Sequence, residues 1–227
     1  MIFLRRVLLA EFLLAAAGGP WPSYSQAASQ SPTPALVDAA SKGQTERLLR
    51  LLAAGASVEA RDGDGRTALL AATAANQVEV ARLLIARGAD VNAQDAQRDS
   101  PYLLAAASGF TEILQATLQA GANLKSTNRY GGTGLIPACH HGHVETVRLL
   151  LSTSIAVNHV NALGWTALHE AIVLGQGGDR HTEIVRMLLD HGADPNLPDG
   201  HGERPLQLAV ARGQARIAAL LRQAGGR

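Results

Sequence analysis

All 8 histidines of the chain fall between His140 and His201, and a cluster of imidazoles is where these residue types could do metal chemistry. His140, His141 and His143 stand almost in a row. On a helix, however, adjacent residues point about 100° apart, and only i,i+3 or i,i+4 pairs share a face. Neither carboxylate nor cysteine stands at ligand spacing from His140, His141, His159, His181 or His201. His169-Glu170 opens an H-E-x-x-H zinc motif, but its fifth position is Val173, so the second ligand is missing. Asp62-Gly63-Asp64-Gly65 begins like a calcium loop, yet Arg66, Thr67 and Thr73 occupy the wanted ligand and glycine positions. Gly131-Gly132-Thr133-Gly134 lacks the lysine of a phosphate loop, and no G-x-S-x-G is present. No pair of groups has the spacing that acid–base or nucleophilic catalysis requires. The expectation is therefore no catalytic residue, no metal ligand set and no cofactor. A metal- or haem-binding role for the His140–His201 cluster stands as the alternative.

The elements that must position these residues are written as a repeat. Thr67, Ser100, Thr133 and Thr166 recur at a step of 33 residues, as do Gly43, Asn76, Gly109, Gly142 and Gly175. A third series runs Gly55, Gly88, Gly121, Ser154. Such a period marks stacked supersecondary units that cannot bury their apolar faces alone. Within a unit, Thr166 is placed to cap a first helix, with Leu168 and Ala171 on its inner face. Gly175 is expected to end that helix in the left-handed conformation. Val144, Val147, Leu150 and Leu151 form the apolar stripe of a second helix, and Gly192-Ala193-Asp194-Pro195-Asn196 is a stop and turn.

These segments resemble the ankyrin repeat, whose pattern is T-P-L-H-x-A, a glycine, an apolar second helix and G-A-D-x-N. Thr67-Ala68-Leu69, Thr166-Ala167-Leu168-His169, Gly88-Ala89-Asp90-Val91-Asn92 and Gly192 to Asn196 carry the resemblance, which runs from Pro34 to the C-terminus. It implies an all-α solenoid of about six helix–turn–helix units joined by β-turn or hairpin loops. Units are expected to start near 34, 67, 100, 133, 166 and 204, with an insertion at 176–180 that leaves the stacked core untouched. It also gives structural roles to His143 and His169, which sit where the family carries histidine. Cys139, the only cysteine, takes a position usually alanine and reads as a small buried residue.

Residues 1–27 read as a secretory signal peptide: Arg5 and Arg6, a run from Val7 to Gly19 that is apolar apart from Glu11, and small residues at Ser25 and Ala27. The apolar run is shorter than a membrane span of roughly 20 residues, and an uncleaved signal anchor is the alternative. A short linker, 28–33, would lead into the repeat domain, 34–227. The expected location is periplasmic or secreted, with no stable membrane insertion after cleavage. Cleavage would take the formal charge from +1 to 0, which argues against a nucleic-acid or anionic-membrane partner.

In the ankyrin arrangement, turn tips and the residues before the first-helix glycine project onto one concave side. The resemblance so implies a non-enzymatic module that binds a protein partner through Arg129, Tyr130, His140, His141, Leu163, Trp165, Val173 and Leu174. Tyrosine, tryptophan and arginine dominate binding hot spots, although Tyr130 and Trp165 could equally brace the turns. Small exported ankyrin proteins of bacteria are associated with periplasmic catalase support and with immunity to secreted toxins. The fourth unit departs from the pattern: Thr133-Gly134-Leu135-Ile136-Pro137 puts proline inside the first turn, so a distorted or delayed helix is expected there.

Overall fold

The computed structural model describes residues 32–227; the expected leader and residues 28–31 of the linker lie outside that span. Twelve α-helices follow in pairs, with no strand among the described residues beyond one isolated bridge between Arg61 and Thr67. The pairs are α1 (Pro32–Ser41) with α2 (Thr45–Ala53), α3 (Ala68–Ala74) with α4 (Val78–Ala86), and α5 (Pro101–Ser108) with α6 (Thr111–Gln119). Then come α7 (Leu135–His140) with α8 (Val144–Leu151), α9 (Ala167–Val173) with α10 (Asp179–Asp190), and α11 (Pro205–Ala211) with α12 (Ala215–Gln223). The first helices pack α1 to α3 to α5 to α7 to α9 to α11, each against its own second helix. From α4 onward the second helices form a layer behind that row.

The close approach of first helices rests on alanine. Ala39, Ala72, Ala105, Ala138, Ala171 and Ala209 occupy equivalent positions, and all are fully buried. A methyl at each contact lets neighbouring backbones meet, while Leu69, Leu84, Ile113, Leu150 and Leu188 fill the space between layers.

Each inter-unit loop is set by one side chain. Asp62 Oδ1 accepts hydrogen bonds from the Asp64 and Arg66 amides, and Asp95, Asn128, Asn161 and Asp199 repeat that arrangement in later loops. A side chain that bonds backbone two and four residues onward folds a tight turn locally. Neighbouring tips are then tied together, as where the Ala162 amide donates to the Tyr130 carbonyl at 2.9 Å.

The insertion corrects one expectation. Gly175 is not left-handed; Gly177 takes that role at φ +65°, and Asp179 and Arg180 join α10, which reaches 12 residues. An aspartate in the first turn, facing the positive end of the helix dipole, favours the extension. Gly175 is required for another reason: a Cβ there would meet the Ala171 carbonyl oxygen at 2.0 Å. The fourth unit starts late, as its sequence implied. The N-cap of α7 is Gly134 rather than Thr133, and the buried Thr133 hydroxyl makes no hydrogen bond.

Candidate partner-binding groove

The loop between α6 and α7, the loop between α8 and α9, and the exposed ends of α7 and α9 enclose a groove of about 460 Å³. Asn128 carries Arg129 and Tyr130 to its rim, and Asn161 carries Leu163. His140 and His141 close α7 and line the groove, and Leu174 caps α9 on the same side. Six of the eight residues expected to touch a partner therefore meet in one place. Trp165 and Val173 do not line it; both are half-buried, and the Trp165 indole nitrogen is enclosed without a hydrogen bond.

The rim is apolar and open. Tyr130, Leu163 and Leu174 are 53%, 54% and 42% exposed, unusual values for large apolar side chains whose burial elsewhere builds the core. The Arg129 guanidinium lies over the Tyr130 ring, 4.9 Å from its centroid, and approaches Asp99 at 3.7 Å. His140 and His141 stack, with ring centroids 4.3 Å apart.

The groove also holds a carboxylate that spacing along the chain did not single out. Glu170 on α9 is only 6% exposed. Its Oε1 accepts a hydrogen bond of 3.1 Å from Asn161 Nδ2, and its Oε2 lies 3.6 Å from His140 Nδ1. Burial raises its pKa to about 6, against the lowering effect of the Asn161 bond. Burial likewise lowers the His140 pKa, helped by the neighbouring His141 and His181 rings. His140 is therefore neutral at pH 7, and its 3.6 Å approach to Glu170 is neither an ion pair nor a hydrogen bond.

Four of the remaining histidines are engaged by the scaffold. His169 Nδ1 bonds Thr166 in a capping box at the start of α9. His159 Nε2, His181 Nε2 and His191 Nδ1 lie at 2.7, 3.0 and 2.7 Å from the carbonyls of Gly131, His140 and Met187. Among the described residues, no group of three or more His, Cys, Asp or Glu side chains is placed to hold a metal ion. Nor is any described helix long and apolar enough to cross a membrane.

Comparison with known proteins agrees with this architecture. The family model for ankyrin repeats (3 copies) matches residues 8–95 and 102–199. An ankyrin repeat domain from Acinetobacter baumannii AYE superimposes with a TM-score of 0.82 at 52% identity, over 85% of this chain and 98% of that one. The ankyrin repeat protein EF0377 gives a TM-score of 0.81 at 38% identity, over 84% and 98%. The ankyrin repeat protein YahD of Escherichia coli (strain K12) is 53% identical over 58 residues, which span 26% of this chain and 29% of that protein. With the family model covering most of its length and the helix pairs stacked as described, the chain belongs to the ankyrin repeat family.

Proposed function

We propose that this chain is an exported docking module that holds a protein partner in the groove of its fourth and fifth units. Ankyrin repeats are in general a non-enzymatic, protein-binding fold. The observation that carries the reading is the gathering of exposed apolar side chains: of the five large ones exposed among the described residues, Tyr130, Leu163 and Leu174 stand around this one groove. Aromatic and aliphatic anchors beside an arginine are the composition of an interface core. Export rests on the leader pattern of residues 1–27. Support of a periplasmic catalase and neutralisation of a secreted toxin are the two roles in which such a module would act.

Affinity capture from the exported fraction of the native cell tests this, comparing the unaltered chain with a Tyr130→Ala, Leu174→Ala double variant. The expected result is a protein held by the first and lost by the second, with both melting alike. A catalase or a toxin among the captured proteins decides between the two roles. A partner held equally by both proteins would remove the groove from the account, and its absence from the exported fraction would remove export.

A further inference from the structure

Among the groups lining the groove, Glu170 lacks a matching charge. Its Oε2 has only the long contact to His140, a ring that burial keeps neutral. Arg129, the arginine on the groove, is engaged by Asp99 and the Tyr130 ring. Among the described residues, no lysine or arginine forms an ion pair with Glu170. A carboxylate this enclosed is costly to keep unless something answers it.

The nature of the guest follows. An apolar group seated over Glu170 would strand the charge in a dry site, and an acidic one would add repulsion from both Glu170 and Asp99. A cationic head on an aliphatic stem satisfies both parts of the groove. The head meets Glu170 Oε2, while the stem lies against Ile136, Pro137, Leu163 and Leu174. The geometry points to a lysine or arginine side chain of the partner segment as the occupant of this groove, paired with Glu170. This rests on the docking reading above and adds its chemistry: the partner presents a basic residue flanked by apolar ones.

The test titrates the full chain with n-butylguanidinium and, as its neutral counterpart, n-pentanol. Nitrogen-15 NMR follows the Asn161 side-chain amide and the His140 ring. The expected result is saturable movement of both signals by the guanidinium and at least tenfold weaker binding of the alcohol, about 1.4 kcal/mol or more. Glu170→Gln, which keeps the shape and the Asn161 contact, should abolish the difference between the two probes. Equal binding of both probes, undiminished guanidinium binding by Glu170→Gln, or no saturable shift overturns the assignment. The docking reading fails separately. A captured partner that is lost with Tyr130→Ala, Leu174→Ala yet held normally by Glu170→Gln would leave the groove in place and sink the cation.

Discussion

The ring of Tyr102 occupies the space that a side chain at position 134 would need. A Cβ on Gly134 would lie 3.0 Å from the Tyr102 hydroxyl and 3.2 Å from its Cζ. Tyr102 stands where other units carry Leu69, Leu135 and Leu168, and Gly134 stands where they carry Ala68, Pro101 and Ala167. A larger residue in the third unit is thus accommodated by a missing one in the fourth. The glycine that delays α7 is explained by packing, since its backbone at φ −57° is open to any residue.

Gly134→Ala should therefore destabilise the protein by about 1–3 kcal/mol, the usual effect of overpacking a close contact. Adding Tyr102→Leu should recover part of that loss, measured as a coupling in a double-mutant cycle of urea melts. Recovery stays partial because the Ala106 methyl also lies 3.0 Å from the new Cβ. Strict additivity of the two changes would show that the ring is not what excludes the side chain.

Glu170 should leave a mark on the pH dependence of stability. Its pKa rises from 4.5 to about 6 on folding, so the folded state holds its proton more tightly than the unfolded chain. That contribution is full below about pH 4.5 and is lost as pH rises through 6, up to about 2 kcal/mol at 1.36 kcal/mol per unit. The groups facing it are Asn161, His140 and Cys139, with His141 beyond. The stability difference between Glu170→Gln and the unaltered chain should consequently grow from pH 4.5 to 7 in favour of the variant. A flat difference curve would contradict the burial of the charge.

Cys139 is fully buried, and burial first, then the Glu170 charge, push its thiol pKa well above the ordinary value. A thiolate is the reactive form. Ellman's reagent should leave Cys139 unmodified in the native protein at pH 8 and titrate it fully in guanidinium chloride. Rapid labelling of the folded chain would place the sulfur at the surface.

Leu174 and Trp165 should separate binding from folding. Leu174→Ala removes an exposed groove residue and should change the unfolding free energy by no more than about 0.5 kcal/mol while weakening partner capture. Trp165→Ala removes a half-buried ring with an enclosed nitrogen, away from the groove lining, and should lower the melting temperature with less effect on capture. The opposite pattern in parallel melts and captures would return Trp165 to the interface.

Helix pairs, their caps and their stacking are legible in the sequence because each rests on contacts inside one 33-residue unit or its copy. Thr166 bonding the His169 amide, the buried alanine series and the left-handed Asn76 at φ 51° are local matters that the repeat writes out again and again. The series Asp62, Asp95, Asn128, Asn161 and Asp199 is equally local, and its spacing marks the loop tips in advance. The carboxylate of the groove is different. Glu170 and His140 belong to different units and approach only because α7 packs on α9, and Asn161 reaches Glu170 from the preceding loop. No spacing along the chain encodes that meeting. Which rim residues stay open and which turn inward, as Leu163 and Trp165 do within one loop, is likewise decided by how neighbouring units press together, since burial is a property of the stack and not of the repeat.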